Sequence, residues 1–248
     1  MIKRNIFIFI TFFNDFSIGT LLYIIDVYNH MKSKTNTLRE ILLSDGQQNV
    51  TETQRNTLSN ILSIAETKYP RLAYHNINHA LDVLGVVINY SKYYDLSAND
   101  SFILQTAAIL HDVIVEPGRI DNEERSSDYA SKLLPKFSYQ DQQINMVNEL
   151  ILNTKLDFKL KGLTNPSTLL GQIMCDADLD NLGREDFFYN ALLLAKENDS
   201  KLSYEGLSGF MGATVYWTEF AKMIREPKKI ENITKLRDLT NEYLARGA

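Results

Sequence analysis

The chain has 248 residues, which is long enough for one large domain with a substantial buried core. Hydrophobic residues make up 44% of the sequence and charged residues 23%, as in ordinary soluble globular proteins. The 26 basic and 31 acidic residues give a formal net charge of -5, which excludes a general electrostatic attraction to nucleic acid or to anionic membranes. We therefore expect no nucleic-acid partner and no stable membrane association, although a local basic patch is compatible with these totals.

Cysteine, glycine and proline are all rare in this chain. Its single cysteine, Cys175, cannot form an intramolecular disulfide or a zinc site built from several thiolates. A reducing compartment fits this composition best, and we expect a cytoplasmic protein. The 11 glycines and 5 prolines are few for this length, which disfavours an architecture of β-strands joined by many tight turns.

Residues 1–30 form an apolar N-terminal extension. Two apolar stretches, Ile6–Phe13 and Leu21–Ile25, together approach the length of a membrane-spanning helix, but polar and small residues interrupt them. The small-x-small cleavage site of a secretory signal is not found. The favoured interpretations are translation from Met31 or a docked N-terminal helix, and a membrane anchor is the alternative. Residues 31–248 are predicted to form a single helical domain.

From about Thr53 onward the sequence indicates successive helices with short breaks. Apolar residues recur at helical spacing, and no stretch alternates strictly enough to indicate a β-strand. Pro70 ends the first helix, and Gly183 has the place of a helix C-terminal stop. The predicted helices are Thr53–Tyr69, His75–Tyr94, Ser101–Asp112, Asp121 or Asn122 to Leu134, Gln142–Asn153, Ser167–Leu182, Glu185–Lys196, Tyr204–Ile224 and Ile230–Leu244. The sequence therefore predicts an all-α fold, a single multi-helix bundle.

Two histidines lie on what is predicted to be a central helix. His75 and His79 are four residues apart, which on a helix places their Cβ atoms about 5–6 Å apart on one face. The other faces of this helix are apolar, so the imidazoles are expected to point into the protein. Asp82 continues the same face, where it could orient His79 or form a simple salt bridge.

Two further predicted helices carry a histidine or aspartates within or at the end of an apolar segment. His111 and Asp112 end one of them, and Asp176 and Asp178 fall within the other. Taken singly, each has an ordinary explanation, such as a buried histidine satisfied by a backbone carbonyl or Asp176 as a solvated surface acid. Buried together, they are costly unless they pair or bind a metal ion. Imidazoles plus carboxylates form the mixed nitrogen and oxygen donor set that divalent Mn, Fe, Co, Zn or Ni accepts.

The order of these residues is similar to that of a known superfamily. His79, then His111 with Asp112, then Asp178 resembles the HD superfamily of metal-dependent phosphohydrolases. Within it, residues 74–83, which read YHNINHALDV, look like the YHNxxHAxDV signature of class I cyclic-nucleotide phosphodiesterases. A lone His-Asp dipeptide has no value as a signal, whereas several segments in the correct order are specific.

Two later segments extend the resemblance. His111-Asp112, followed by Pro117-Gly118 and Asn122, is similar to the HDxxHPGxxN stretch of the cyclic-nucleotide enzymes, with one inserted residue before Pro117. Residues 177–181, which read ADLDN, resemble their ADLSN stretch and also the ADRxHN of alarmone hydrolases. Both comparisons favour Asp178 over Asp176 as the metal ligand. The resemblance covers about residues 74–183, which would form the metal-binding core.

The resemblance implies a role for each matched residue. His79, His111, Asp112 and Asp178 would ligate a divalent metal ion (Mn, Mg, Fe, Co, Ni or Zn), and Asp112 would bridge to a second ion where one is present. His75 would be the general acid that protonates the leaving oxygen. A bound metal ion lowers the pKa of its water from 15.7 toward ~7 and so supplies hydroxide for attack on phosphorus.

The chain departs from the cyclic-nucleotide enzymes at two points. Val115 and Glu116 stand where those enzymes have a second histidine after the His-Asp pair, and no histidine follows Thr154. A second ion would therefore rest on Asp112, water and either Glu116 or Glu123, so its presence stays an open question. Glu123 is equally explained as part of a helix start.

The expected function is hydrolysis of a phosphoester bond in a nucleotide-like small molecule by metal-activated water. A cyclic-nucleotide phosphodiesterase reaction is the leading case. The alternatives are an alarmone or nucleoside-monophosphate phosphohydrolase, and a non-catalytic HD module that senses a nucleotide. The base, the size of the substrate, the native metal and the oligomeric state are not determined by these patterns.

Overall fold

The computed structural model describes residues 49–156, 165–198 and 204–246. Within these ranges the chain forms nine α-helices, two short 3-10 helices and no β-strand, which confirms the predicted all-α fold. No helix in the described part is both long enough and apolar enough to cross a membrane. The apolar extension at residues 1–30 lies outside the described residues.

The helices follow one another with short connections. They are α1 (Glu52–Lys68), α2 (Ile77–Tyr93), α3 (Ala98–Leu110), α4 (Asn122–Leu133), α5 (Asp141–Asn153), α6 (Leu169–Asp178), α7 (Phe187–Glu197), α8 (Tyr204–Ala213) and α9 (Glu219–Arg246). The 3-10 helices are Leu134–Phe137, after α4, and Asp180–Gly183, after α6. The first five predicted helices agree with α1 to α5 to within three residues at each end.

Helix α3 is the centre of the main hydrophobic core. All of its residues from Ser101 to Leu110 are buried, as expected for a helix that is apolar on every side. Helix α2 packs along α3, while α1 and α5 contact its other sides, and α6 packs against α2, α3 and α5. Ala107 and Ala108 are fully buried and leave room for close packing of these helices. Because of this packing, the start of α2 and the ends of α3 and α6 come together.

Helix α2 begins two residues later than the sequence predicts. Asn76 is its N-cap: the backbone there is extended, with φ -141°, and the side-chain oxygen accepts the backbone N–H of Asn78 at 2.8 Å. The side-chain amide of Asn76 also donates to the carbonyls of Leu72 (3.0 Å) and Ala73 (3.1 Å). His75 therefore precedes the helix, and the expectation that it shares a helical face with His79 is wrong.

The predicted helix Tyr204–Ile224 is two helices, α8 and α9. Its interruption comes from Asp176, whose buried carboxylate accepts the backbone N–H groups of Trp217 (2.7 Å) and Thr218 (2.8 Å). The Thr218 hydroxyl then caps α9 by accepting the N–H of Ala221 at 3.1 Å. The interpretation of Asp176 as a solvated surface acid is wrong, because its side chain supports the start of α9 from inside the protein.

The predicted break before the last helix is absent, since α9 continues through Pro227. A proline inside a helix lacks the N–H donor and crowds the preceding turn, at a cost of about 3 kcal/mol. Anchors on both sides offset this cost. Arg225 Nε donates to Asp180 at 2.7 Å, and Lys229 Nζ donates to the carbonyl of Thr214 at 2.7 Å.

The chain leaves α6 through a tightly packed 3-10 helix. A Cβ atom on Gly183 would lie 2.4 Å from the carbonyl oxygen of Arg225, so this close approach to α9 requires glycine. Buried Asp180 accepts hydrogen bonds from Arg184 Nη1 (3.3 Å) and Arg225 Nε (2.7 Å). The residues that follow Asp178 are therefore held firmly against α9.

We predict that Asp176→Ala destabilises the fold by about 1–3 kcal/mol, because it leaves two N–H groups at the start of α9 without their acceptor. The measurement is urea unfolding in the presence of a chelator, so that metal binding does not contribute. Asp128→Ala, on the exposed face of α4, is the matched control and should change stability by less than about 0.5 kcal/mol. Equal stabilities of the two variants would contradict a capping role for Asp176.

Candidate metal centre

Four side chains from three parts of the fold converge on one point. These are the residues His79, His111, Asp112 and Asp178, and each offers a ring nitrogen or carboxylate oxygen within 4.8 Å of the others. Their side chains are 7%, 0%, 12% and 18% exposed, respectively, so the cluster is largely shielded from water. All four residues that the sequence proposes as ligands therefore lie together, and Asp176 lies outside the cluster.

The cluster is built from the ends of helices. His79 is the third residue of α2, His111 is the C-cap of α3 with Asp112 directly after it, and Asp178 is the last residue of α6. The carboxyl-terminal ends of α3 and α6 carry partial negative charge from their unpaired carbonyl groups. Two helix dipoles thus add to the two carboxylates in favouring a cation at this point.

The distances between the ligand atoms match those around a single ion. Nε2 of His79 lies 3.3 Å from Nε2 of His111 and 3.0 Å from Oδ1 of Asp178. Nε2 of His111 lies 3.2 Å from Oδ2 of Asp112 and 3.4 Å from Oδ1 of Asp178. Ligands about 2.0–2.2 Å from a central ion have neighbours roughly 3.0–3.4 Å apart, so these side chains need little movement to hold one.

The hydrogen bonding of His111 is the most informative feature of the cluster. Its Nδ1 lies 2.9 Å from the carbonyl oxygen of Ala108, which can only accept, so Nδ1 carries a proton. In the neutral ring Nε2 is then a lone pair, and it faces the oxygen atoms of Asp112 and Asp178. Several acceptors that face one another in a buried site repel unless a cation lies between them. The donor set therefore fits a divalent metal ion.

The charges of the cluster shift its pKa values strongly. Burial alone would lower the pKa of His111, but the carboxylates of Asp112 and Asp178 outweigh burial and raise it well above its ordinary value. Burial would likewise raise the pKa of both carboxyl groups, and the facing imidazoles hold it below the usual range. The facing imidazoles and carboxylates thus favour one another's charged forms.

His75 lies at the edge of the cluster and has a dedicated partner. Its Nε2 is 3.8 Å from Oδ2 of Asp112, and its Nδ1 is hydrogen-bonded to the carboxylate of Glu197. The same carboxylate accepts the backbone N–H groups of Tyr74 and His75, both at 2.9 Å. Burial lowers the pKa of His75, but Asp112 and Glu197 outweigh burial, so the net shift is upward. The imidazolium form is stabilised at a place where its Nε2 can donate.

Glu197 was not singled out from the sequence. It is the last residue of α7 and lies 122 positions from His75 along the chain, so no local spacing connects the two. Its side chain is 1% exposed. The sequence held one weak signal: a carboxylate in the last turn of a helix is disfavoured by the helix dipole, which suggests that another part of the protein compensates for it.

Tyr74 connects the two histidines of this region. Its ring centroid is 4.8 Å from that of His75, at an interplanar angle of 87°, and 4.7 Å from that of His79, at 35°. The side-chain amide of Asn181, in the 3-10 helix after α6, donates to the Tyr74 hydroxyl at 2.9 Å. The sequence placed both residues inside the resembling segments without giving either a role.

Asp82 forms a salt bridge with Arg184. Its Oδ2 accepts from Nη2 of buried Arg184 at 2.6 Å, so of the two roles left open for Asp82 the structure shows the ion pair. Arg184 also donates to Asp180 and Asp186. This buried network ties α2 to the segment that follows α6, and so helps to hold two of the helix ends that form the cluster.

The acids proposed to support a second ion differ in position. Glu116 is exposed and accepts from Nη1 of Arg125 at 3.0 Å. Glu123 is half-buried, and its pKa is raised by burial and by the nearby Asp112. The neighbouring Glu124, which was not proposed for this role, accepts a hydrogen bond from Lys155. Within the described residues the close metal-ligand cluster includes none of these acids, so a second ion stays a prediction.

No protein-family model matches the chain, and no curated protein matches it. Several solved structures are similar to the chain in fold. A Lactobacillus plantarum protein is 18% identical with a TM-score of 0.60, over 79% of this chain and 99% of that one. YpgQ of Bacillus subtilis, solved with ADP, is 18% identical with a TM-score of 0.56, over 77% and 96%. LmjPDEB1, solved with IBMX, is 14% identical with a TM-score of 0.58, over 92% and 90%.

These likenesses concern the fold, since every identity is below 25%. In this fold the ends of three helices meet at one point, and the His and Asp residues of the cluster lie there. The chain therefore has an all-α fold that is similar to the folds of these three proteins.

Proposed function

We propose that this protein is a metal-dependent hydrolase that cleaves a phosphoester bond in a nucleotide-like small molecule. His79, His111, Asp112 and Asp178 would hold the divalent ion. The observation that carries the proposal is the inward-facing Nε2 of His111, which meets two carboxylates and a second imidazole in a shielded site. A divalent ion bound there would supply a water molecule of lowered pKa and positive charge beside the phosphoryl oxygens.

The residues beside this site suit the other half of the reaction. When the water oxygen attacks phosphorus, the bond to the leaving oxygen breaks, and an alkoxide leaves poorly without a proton. His75 has its Nδ1 held by Glu197 and its Nε2 beside Asp112, so a protonated ring can donate from Nε2 to the leaving oxygen. Glu197 both orients the ring and stabilises its charge.

A cyclic nucleotide is the leading substrate. It is supported by the YHNINHALDV segment, by the likeness of fold to LmjPDEB1, and by the position of His75 between Glu197 and Asp112. The second candidate is a nucleoside phosphate or alarmone, supported by the likeness of fold to YpgQ, which was solved with ADP. A non-catalytic sensor is less compatible with the site, because sensing does not require an oriented His75–Glu197 pair.

The proposed function predicts phosphoester hydrolysis that depends on added Mn²⁺, Mg²⁺ or Co²⁺. The substrates to test are cyclic AMP, cyclic GMP, a guanosine alarmone, nucleoside monophosphates and bis(p-nitrophenyl) phosphate, with Asp112→Ala as the control. Turnover that disappears in the control supports the proposal, and the preferred substrate identifies the reaction. If no metal supports turnover above the control with any substrate, the enzyme proposal is wrong.

Metal content gives an independent prediction. Protein purified without chelator should carry about one equivalent of a divalent metal, and its removal should lower the melting temperature. His111→Ala should lose the metal, because it removes an inward-facing ligand. The matched control is His30→Ala, which changes the one histidine outside the resembling segments. Elemental analysis of both variants decides the matter: equal metal content would exclude His111 as a ligand.

His75→Ala should affect substrates according to their leaving group. Hydrolysis of an ester with an alkoxide leaving group should slow by about 10²–10⁴-fold, whereas bis(p-nitrophenyl) phosphate, whose leaving group needs no proton, should react nearly as before. Steady-state rates on both substrates test this selectivity. A loss of equal size on both would mean that His75 acts on the metal site or the fold and not as the acid.

Glu197→Gln should produce a weaker form of the same pattern. Glutamine retains an acceptor for the backbone N–H groups but removes the negative charge that favours the imidazolium of His75. We expect kcat for the alkoxide substrate to fall by about 10-fold or more, with little change in KM or in metal content. The control is Glu219→Gln, because the side chain of Glu219 is 89% exposed. An unchanged kcat would remove Glu197 from the mechanism.

A further inference from the structure

The position of His75 relative to the metal cluster is not set by regular helix geometry. His75 precedes the N-cap of α2, whereas His79 lies inside the helix. Their ring centroids are nevertheless 5.8 Å apart at an interplanar angle of 89°. A ring outside a helix can rotate and shift with its own backbone, so contacts other than the helix must hold this arrangement.

Tyr74 contacts both rings at once. Its edge-to-face contact with His75 and its tilted contact with His79 fall in the range of favourable aromatic pairs. The three rings thus form a triangle with sides of 4.7, 4.8 and 5.8 Å between centroids. In this triangle the Tyr74 ring is a spacer that lies against both the proposed acid and a proposed metal ligand.

The spacer is held at both of its ends. At the backbone end, the N–H of Tyr74 donates to Glu197 at 2.9 Å. At the ring end, the hydroxyl oxygen accepts from Nδ2 of Asn181 at 2.9 Å. Asn181 lies three residues after Asp178, in the 3-10 helix that buried Asp180 ties to α9 through Arg225. The orientation of the Tyr74 ring therefore depends on the 3-10 helix that begins two residues after the proposed metal ligand Asp178.

We propose that Asn181 and Tyr74 form a positioning pair that sets the distance and angle between His75 and the metal cluster. This inference rests on the proposed function, because it assigns to the pair the alignment of the acid with the bond that breaks. Asn181 acts through the Tyr74 hydroxyl, and Tyr74 acts through its ring contacts. Neither residue donates a proton to the substrate, and burial keeps the phenol neutral by raising its pKa well above 10.

The activity test uses Tyr74→Phe, Asn181→Leu and the double variant. Each single variant should lower kcat by about 10- to 100-fold on a substrate with an alkoxide leaving group, since small misplacements of a catalytic group have effects of this size. KM, metal content and the rate on bis(p-nitrophenyl) phosphate should change less than about twofold. The double variant should be no slower than the slower single variant, because both changes break one hydrogen bond.

Tyr139→Phe is the matched control. It also removes the hydroxyl of a buried tyrosine that is hydrogen-bonded to a polar side chain, Thr106 at 2.6 Å, but its ring stacks on Phe102 and not on a histidine. The ratio of its rates on the two substrates should equal that of the unmodified protein. Losses of equal size on both substrates, multiplying effects in the double variant, or loss of metal would each overturn the positioning role.

A second measurement does not depend on turnover. With ring-labelled histidine, the nuclear magnetic resonance signals of His75 and His79 should both carry ring-current shifts from Tyr74, and Asn181→Leu should move both. Tyr139→Phe should leave them in place. If the protein shows no hydrolysis but these signals move as expected, the proposed function fails, and what stands is that the pair sets the geometry of the two histidine rings. Signals that stay unchanged in Asn181→Leu would overturn the pair whatever the activity.

Discussion

The hydrogen bond between Nδ1 of His111 and the carbonyl of Ala108 is the constraint on which the rest of the site depends. It places the proton of the neutral ring on the side away from the cluster, so that Nε2 faces Asp112, Asp178 and the ring of His79 with a lone pair. A buried group of acceptors is stable only around a cation. The fully buried helix α3 supplies the rigidity that holds His111 in this state, because a core helix has no room to rotate.

The remaining ligands are brought to His111 by the ends of neighbouring helices. The segment that ends α6 shows how closely structural and chemical roles alternate along one chain. Asp176 caps α9, Asp178 lies in the cluster, and Asp180 pairs with two arginines. Of these three aspartates at alternate positions, the first and third bind the segment to α9, and the middle one faces the cluster. The two anchors fix the middle carboxylate against the repulsion of Asp112, which lies within the same 4.8 Å group.

The proposed acid has supports outside the four-residue metal cluster. His75 is held by Glu197 of α7 and by the ring of Tyr74, and both contacts come from outside the main core helices. Helix α7 belongs to a second, smaller hydrophobic cluster with Phe187 and Met211 at its centre. The acid therefore has one support that the metal site lacks, Glu197, and one that it shares with the metal site, Tyr74, whose ring also contacts His79.

The sequence by itself determined the all-α fold, the approximate positions of the first five helices and, through the resemblance of its motifs to a known superfamily, the four residues that form the cluster. These depend on local periodicity and on short motifs, which act over a few residues. Only the tertiary structure decided the break before Thr218, the continuity of α9 through Pro227, the start of α2 after His75, and the part played by Glu197. Several of these follow from a contact with a distant segment. The carboxylate of Asp176 contacts Trp217 and Thr218, which lie 41 and 42 positions further along the chain, and Glu197 lies 122 positions from His75. Local patterns cannot report such contacts, because the free energy that stabilises them comes from side chains that packing brings together.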